Sequence, residues 1–426
     1  MIVSIIIISV VVYICLIKKS YDVICLLITL LPFHNFISKL LSILTGNVGL
    51  FPIWRDVCCI FLFYKVIKND IKNKSIHTLI LLNILYITFI LFLFWGTYEK
   101  SISYYRIYID VLLLAYSLSQ IKLDEKQWKR IFKTYAWVSF VVCITGFIQY
   151  FLIREQLHIL FEDYELRADG SIHFTSPSWL IMGYERMGGF IGGPNSFGIY
   201  LSIALFIMLT IYNKYKNKLP NKQKLFLLCC ILIYGICLLL SFSRAGWGIT
   251  IFSYYLFLLR YYNTKKIISK SFTAIFVVLL ILIIGVSIFP EVYEIIKGTF
   301  SGEEASAATR DDMVKDAYLE LLGSIYGNGL GSTDTENGVF FAESSFLNLI
   351  FEIGIQGCIL FYLIFICILF INSRAKNFIA IIVTSFIPIA LFISIASVNI
   401  MTWPFIYYLF GFSSLALNKS LKRIII

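Results

Sequence analysis

The sequence predicts an all-α, polytopic integral membrane protein, and three observations carry this prediction. Of the 426 residues, 59% are hydrophobic, 17% are aromatic and only 14% are charged, a composition that soluble globular proteins do not have. Apolar runs of the length needed to cross a bilayer recur along the whole chain. Basic residues gather in alternate connections between these runs. Because no stretch looks like a separate soluble domain, residues 1–426 are predicted to form a single membrane domain.

The apolar runs predict about twelve or thirteen transmembrane helices. The run 21–44 is interrupted by Pro32, and the run 54–67 is short, so the number of crossings near the N-terminus stays open. The first run, 2–17, is followed by lysines rather than by the small residues of a cleavage site, which favours a retained membrane segment. The predicted spans are 2–17, 21–44, 54–67, 76–96, 102–120, 131–153, 190–212, 225–240, 247–262, 271–290, 344–371, 376–396 and 400–418.

The distribution of lysine and arginine predicts the orientation of these spans. Seven alternate connections hold 25 of the 36 basic residues, and the positive-inside rule places them in the cytoplasm. The net charge of +11 is therefore a topology signal and gives no support for nucleic-acid binding. The basic connections include Lys18 and Lys19, Lys65 to Lys74, Lys122 to Lys133, residues 213–224, Arg260 to Lys270, Arg374 with Lys376, and Lys419 to Arg423.

Two long polar connections, 154–189 and 291–343, fall on the opposite, extracytoplasmic side. The first contains six acids and three arginines, whereas the second contains eleven acids and only three basic residues. In the second, the pattern from Thr309 to Gly323 predicts a short amphipathic helix on the membrane surface. The sequence YGNGLGS at 326–332 predicts a glycine-rich turn, whose backbone can approach a ligand or a neighbouring helix closely.

Arg244 lies in the stretch LLLSFSRAGWGIT at 238–250, between two apolar runs. A single helix from 225 to 262 would be about 57 Å long, whereas the apolar core of a bilayer is about 30 Å thick. Two short helices joined by a turn near Arg244 fit better, and the alternation of connections places that turn on the outer side. The ten cysteines all lie in apolar runs without CxxC spacing, so they are interpreted as packing residues rather than as a disulfide framework or metal site.

Four sequence features occur in a fixed order along the outer connections. They are RMGGFIGGPNSFGIY at 186–200, SFSRAG at 241–246, TRDDMVKDAYLELLGSIYGNGLG at 309–331 and AESSFLNLIFEIGIQG at 342–357. Together with about a dozen spans and a large late outer loop, they resemble the O-antigen polymerase and ligase superfamily of the Wzy type. The motifs cover roughly residues 130–400, and the topology covers the whole chain.

The resemblance implies an all-helical, class C-like glycosyltransferase architecture in the bacterial cytoplasmic membrane, with its active site facing outward. Such enzymes transfer glycan from undecaprenyl pyrophosphate, without a cofactor or an essential metal, and a chain-length regulator protein is a partner expected from the family. The product class, O-antigen of lipopolysaccharide or capsule, stays open. Ligases, which transfer to lipid A–core, carry a histidine where this chain has Glu343, which favours a polymerase over a ligase. A lipid-linked oligosaccharide flippase is the alternative from another class.

Candidate site residues follow from the chemistry of a pyrophosphate leaving group. Arg186, Arg244 and Arg310 are the candidates for binding it, because guanidinium forms two parallel hydrogen bonds to phosphate oxygens, and Arg244 also stabilises the charge developing on it. Glu343 is the candidate general base for the acceptor hydroxyl, with His173 as a weaker catalytic candidate. Each has a structural alternative: an interfacial anchor for Arg244, ion pairs for Arg186 and Arg310, and a helix-start carboxylate for Glu343.

Overall fold

The computed structural model describes residues 2–45, 50–67, 74–153, 164–166, 172–174, 180–181, 184–262, 283, 325–333, 344–375, 377–395 and 404–418. In these residues the protein is an all-α polytopic membrane protein, which confirms the predicted fold class. The described helices are α1 (Ile2–Ile17), α2 (Ser20–Leu30), α3 (His34–Thr45), α4 (Ile53–Val66), α5 (Lys74–Leu93), α6 (Ser101–Gln120), α7 (Glu125–Phe151), α8 (Pro194–Tyr215), α9 (Asn221–Leu240), α10 (Arg244–Tyr261), α11 (Ser345–Asn372), α12 (Phe378–Ser394) and α13 (Phe405–Ser414).

The helices follow the predicted spans closely, apart from 271–290, which lies outside the described residues except at Ile283. The interruption predicted at Pro32 is a 3-10 turn, Leu31–Phe33, between α2 and α3. The span predicted to begin at residue 190 starts instead at Pro194, because Gly192 adopts a positive φ of 106° and proline suits the first position of a helix.

Six described segments are long and apolar enough to cross a membrane. Many side chains that point away from the protein are also apolar; Phe370 is 81% exposed and Phe392 is 73% exposed. Such exposure is costly in water and favourable in lipid, so it agrees with a membrane environment. The six segments are Ser20–Thr45, Ser75–Leu93, Glu125–Phe151, Pro194–Tyr215, Asn221–Leu240 and Ser345–Asn372, and shorter apolar helices are Val3–Ile17, Phe378–Ser394 and Phe405–Leu417.

The first long connection, 154–189, contains two short antiparallel hairpins. Strand β1 (Tyr164–Leu166) pairs with β2 (Ile172–Phe174), and β3 (Leu180–Ile181) pairs with β4 (Tyr184–Glu185). His173 lies in β2, opposite Glu165 of β1 in the register. The amphipathic helix predicted between residues 309 and 323 lies outside the described residues.

By its internal contacts the chain forms two compact units. Unit 1 comprises Met1–Ser9, Cys25–Pro52 and Arg130–Glu304. In this unit α8 packs against both α9 and α10. The backbones of α8 and α10 meet at two glycines, because a Cβ atom on Gly246 would lie only 2.7 Å from the carbonyl oxygen of Gly198.

Unit 2 comprises Val10–Ile24, Ile53–Lys129 and Ala305–Ile426. Helix α6 packs against α4, α5 and α13, and α11 packs against α5 and α12. The core between α11 and α13 is aromatic: the ring of Phe410 lies 5.0 Å from that of Phe361 and 4.8 Å from that of Phe365. Inside this apolar unit, a small number of charged side chains are buried together.

Candidate active site

Arg244 is the first residue of α10, directly after the turn that joins α9 to α10. Its side chain is exposed, whereas the three turn residues Ser241, Phe242 and Ser243 are buried. The predicted arrangement, two short helices with Arg244 at the turn, is confirmed. The turn lies at the end of unit 1 opposite the basic connection 213–224, because α9 runs between them.

The turn has a defined conformation. Phe242 has a positive φ of 49°, which is unusual for a residue with a large side chain. Ser243 caps α10, since its hydroxyl accepts a hydrogen bond from the backbone N–H of Gly246 at 3.3 Å. The Ser241 hydroxyl donates to the carbonyl of Leu238 at 2.7 Å and accepts from the N–H of Ser243 at 3.3 Å. These bonds fix the direction in which α10 begins and hence the backbone position of Arg244.

Arg186 braces the same turn from inside the unit. Its Nε donates to the carbonyl of Ser241 at 3.1 Å, and its Nη2 donates to Asn195 Oδ1 at 2.6 Å and to the carbonyl of Phe242 at 3.4 Å. Only 9% of Arg186 is exposed. The next residue, Met187, donates its backbone N–H to the carbonyl of Leu240 at 2.9 Å. Arg186 therefore holds the C-terminal end of α9, where the helix dipole favours a positive charge.

A buried glutamine extends this network. Gln149 Nε2 donates to Glu185 Oε1 at 3.0 Å and to the carbonyl of Arg186 at 3.3 Å, while its Oε1 accepts from the N–H of Gly188 at 2.9 Å. Glu185 is 5% exposed and Gln149 is fully buried. We call Gln149, Glu185, Arg186 and Asn195 the Arg186 network. The described contacts of Arg186 include two backbone carbonyls and the side chain of Asn195, and the next residue back, Glu185, belongs to the same network.

The predicted pyrophosphate ligands are placed differently by the fold. Arg186 and Arg244 belong to the same turn, but Arg186 is buried against carbonyls and Arg244 faces outward. An exposed arginine at a helix N-terminus puts two positive features side by side, a guanidinium and the amide end of the helix dipole. This geometry is suited to binding a phosphate group. Arg310 and Glu343 lie outside the described residues.

Unit 2 contains a cluster of buried and half-buried charged side chains on α4 and α6, with a tyrosine of α13 beside them. Arg106 pairs with Asp56, donating from Nε at 2.6 Å, and Arg55 Nε lies 3.6 Å from Asp56 and 3.9 Å from Asp110. Tyr407 donates its hydroxyl to Asp110 at 2.9 Å. Two positive and two negative side chains balance one another, which lowers the cost of burying them in a membrane.

A second polar group of unit 2 surrounds a break in α11. Gly354 has a non-helical φ of 72°, and residues 325–333, which we call the glycine loop, pack against it. Glu352 accepts a hydrogen bond from the Tyr108 hydroxyl at 2.8 Å and another from the Thr333 hydroxyl, and it is only 1% exposed. The glycine-rich turn predicted at 326–332 is confirmed, and its partner is a neighbouring helix.

The opposite end of unit 2 carries a separate groove of about 380 Å³ between α4, α5 and α6. Its walls are mainly isoleucine, leucine and phenylalanine, with His77, Thr78 and Tyr116 as polar members. His77 lies in the first turn of α5, whereas the glycine loop meets the other half of α5 at Phe89. The groove is therefore distinct from the polar end of the unit, and we assign it no part in the candidate site.

Among the residues that the structure describes, His, Cys, Asp and Glu form no group of three or more that could hold a metal ion.

Comparisons of the chain with known protein families, with curated proteins and with solved structures found no match. The geometry and the sequence pattern therefore carry the functional argument.

Three features of the site were not foreseen from the sequence. Gln149 is one polar residue in a long apolar helix, and its role depends on glycines almost forty residues away. The buried charges near the starts of α4 and α6 are visible in the sequence, but nothing there pairs Arg106 with Asp56. The break at Gly354 lies inside an apolar run, where a glycine close to Glu352 was the only available signal.

Proposed function

We propose that the protein is a glycosyltransferase that polymerises a surface polysaccharide, of the O-antigen or capsule class, from repeat units linked to undecaprenyl pyrophosphate. The reaction takes place at the outer face of the cytoplasmic membrane. The acceptor is a second lipid-linked repeat unit, and the multi-pass membrane fold gives both lipid substrates access from the bilayer. The reaction proceeds without a nucleotide sugar.

One observation carries the proposal: an exposed arginine stands at the start of a short helix, on a turn that buried hydrogen bonds hold in place. Arg244 occupies this position, and Arg186 braces the turn through two backbone carbonyls. A pyrophosphate that leaves from a sugar carries concentrated negative charge, and a guanidinium carried on a fixed backbone stabilises the charge that develops during bond breaking. An arginine on a mobile backbone would do this less well, because ordering that backbone costs further free energy.

The proposed reaction needs no reactant besides the two lipid-linked repeat units. The acceptor hydroxyl oxygen forms a bond to the anomeric carbon of the donor, and the bond from that carbon to the pyrophosphate oxygen breaks. Undecaprenyl pyrophosphate leaves with the electron pair, and Arg244 neutralises part of its charge. The acceptor proton passes to a base, for which Glu343, just before α11, is the candidate. Arg310 is the further candidate ligand for the leaving group.

The test is reconstitution of the full-length protein with lipid-linked repeat units and separation of the products on a ladder gel. The parent protein should extend the repeat units into a ladder. Arg244→Lys, which keeps the charge but loses the paired hydrogen bonds of guanidinium, should reduce the rate about 100-fold, in the range seen when a transition-state donor is removed. The matched control is Arg260→Lys, which makes the same change in the last turn of the same helix.

Two results would remove the proposal. If the parent makes no ladder, polymerisation is wrong, and if Arg244→Lys polymerises like Arg260→Lys, Arg244 is only an interfacial anchor.

The buried charges of unit 2 favour a second candidate, a lipid-linked oligosaccharide flippase, because charged residues inside membrane helices often mark transport paths. A flippase would move labelled lipid-linked repeat units across vesicles without lengthening them.

A further inference from the structure

The structure joins the glycine loop to α11 at the point where that helix is broken. The backbone N–H of Asn328 donates to the carbonyl of Phe351 at 2.7 Å, and the N–H of Gly329 donates to the carbonyl of Glu352 at 3.1 Å. These carbonyls lose their normal helical partners because Gly354 leaves the helical conformation. The loop therefore replaces the hydrogen bonds that the break removes, as a membrane environment requires.

The contact between the glycine loop and α11 leaves no room for a side chain at Gly327 or at Gly354. A Cβ atom on Gly327 would lie 2.5 Å from the backbone nitrogen of Gly354, and one on Gly354 would collide with the backbone of Ile325 and Tyr326. Loop and helix thus meet backbone to backbone. Backbone hydrogen bonds of this kind are strong when the loop and the helix are aligned. The glycines at the contact have no side chains that could keep the two segments aligned.

Glu352 supplies that missing side chain. One carboxylate oxygen accepts from Tyr108 of α6 at 2.8 Å, and the other accepts from Thr333 at the end of the glycine loop. Glu352 therefore links three elements: the first half of α11, α6 and the loop. Ser101 adds a further connection from α6, since its hydroxyl donates to the carbonyl of Leu330 at 2.9 Å.

We propose that Glu352 is a positioning residue that locks the glycine loop into the break of α11 and so fixes the outer start of that helix. α11 begins at Ser345, with Ser344 as its cap, directly after the candidate base. The proposal deepens the proposed function, on which its catalytic consequence rests, but the lock itself can be measured without any activity.

The measurement uses a Ser332→Cys background, because Ser332 is fully buried in the loop and serine differs from cysteine by one atom. A membrane-impermeant maleimide reacts with the introduced thiol when the loop leaves the helix, and peptide mass spectrometry separates it from the ten native cysteines. Loss of a buried hydrogen bond costs about 1–3 kcal/mol. At about 1.4 kcal/mol per factor of ten, Glu352→Gln should raise the alkylation rate about 10-fold, and Thr333→Val should act in the same direction.

Tyr407→Phe is the matched control for Tyr108→Phe. Both changes remove a tyrosine hydroxyl that donates to a buried carboxylate of unit 2, but Tyr407 bonds Asp110 and not Glu352. In the Ser332→Cys background, Tyr108→Phe should accelerate alkylation of the introduced thiol and Tyr407→Phe should not. Equal rates with and without Glu352→Gln overturn the proposal, as does an equal acceleration by both tyrosine variants.

The effect of Glu352 on the rate of polymerisation is measured in a separate assay. In the ladder assay Glu352→Gln should lower kcat and leave the KM for the lipid-linked donor unchanged, because donor binding is assigned to Arg244 and Arg310 and not to Glu352. If the parent makes no ladder, the proposed function fails while the alkylation contrast still decides the lock. If the parent is active and Glu352→Gln raises KM with kcat unchanged, the positioning role is wrong.

Discussion

The turn at 241–243 joins two packed helices and the glycine loop at 325–333 packs against the break of a third, but side chains of opposite charge hold the two segments. A cation, Arg186, binds carbonyls at the C-terminal end of α9, where the helix dipole favours it. An acid, Glu352, stands before the break of α11, where the dipole does not favour a negative charge. Two hydroxyls donate to its side chain, and the loop amides donate to the backbone carbonyls of Phe351 and Glu352. Holding the turn leaves Arg244 exposed, whereas holding the loop leaves the carboxylate buried. On the two proposals made above, unit 1 presents a charge to a ligand, and unit 2 uses one to fix its own backbone.

The largest effect is expected at Glu343, which directly precedes the cap of α11 in the sequence. Glu343→Gln should slow polymerisation about 10²- to 10⁴-fold, because a general base contributes that much to a proton transfer. Purified protein, lipid-linked repeat units and a ladder gel measure this, with Glu336→Gln as the control from the same acidic connection. If Glu343 is only a helix-start carboxylate, the change costs about 0.3–1 kcal/mol of stability, and an undiminished ladder would show this.

Arg186→Met tests the cation side of the comparison. The variant leaves buried carbonyls and the Asn195 side chain without their charged donor, and the expected loss is about 3–5 kcal/mol of unfolding free energy. Thermal unfolding of the purified protein in detergent measures it. Arg244→Met is the control, because an exposed side chain should change stability by no more than about 0.5 kcal/mol. Equal stability of the two variants would mean that the Arg186 network does not brace the turn.

Gly354→Ala tests the backbone contact in unit 2. Its φ of 72° and ψ of 172° define a conformation that costs an L-residue about 1–3 kcal/mol, and the new methyl group would also collide with the glycine loop. Gly96→Ala is the control for the positive φ, which is 77° there, because a Cβ atom on Gly96 meets nothing within 4 Å. Unfolding measurements should show a larger loss of unfolding free energy for Gly354→Ala. Equal losses would show that the glycine loop moves aside to accommodate the methyl group.

The smallest effect is expected at the helix cap beside Arg244. Ser243→Ala removes the acceptor for the Gly246 N–H and should cost about 1 kcal/mol. Ser344→Ala removes the equivalent cap of α11, which accepts from the N–H of Leu347 at 3.3 Å, and should cost a similar amount. If the turn directs Arg244 towards the pyrophosphate, only Ser243→Ala should raise the KM for the lipid-linked donor. The same KM for both variants would contradict a role of the turn in directing Arg244 towards the pyrophosphate.

The helices could be predicted from the sequence because lipid imposes one simple requirement, an apolar stretch of sufficient length, which each span shows by itself. The turn at Arg244 followed from length alone, since α9 and α10 together are too long for one crossing. The Arg186 network and the lock at Glu352 depend on hydrogen bonds between distant segments, such as the one that joins residues 244 positions apart, Tyr108 and Glu352. No local pattern records such pairings, so the sequence suggested Arg186 as a ligand and gave Glu352 no role.

The contact of Gly198 with Gly246 has a consequence for binding entropy. Two helices that meet through backbone atoms have little freedom to slide or rotate against each other, and close glycine contacts of this kind are a main source of helix association in lipid. The stiffness of this crossing extends to the first turn of α10. If a phosphate binds at Arg244 as proposed, the backbone that carries the guanidinium is already ordered by this crossing, and fixing the side chain costs about 0.5–1.5 kcal/mol.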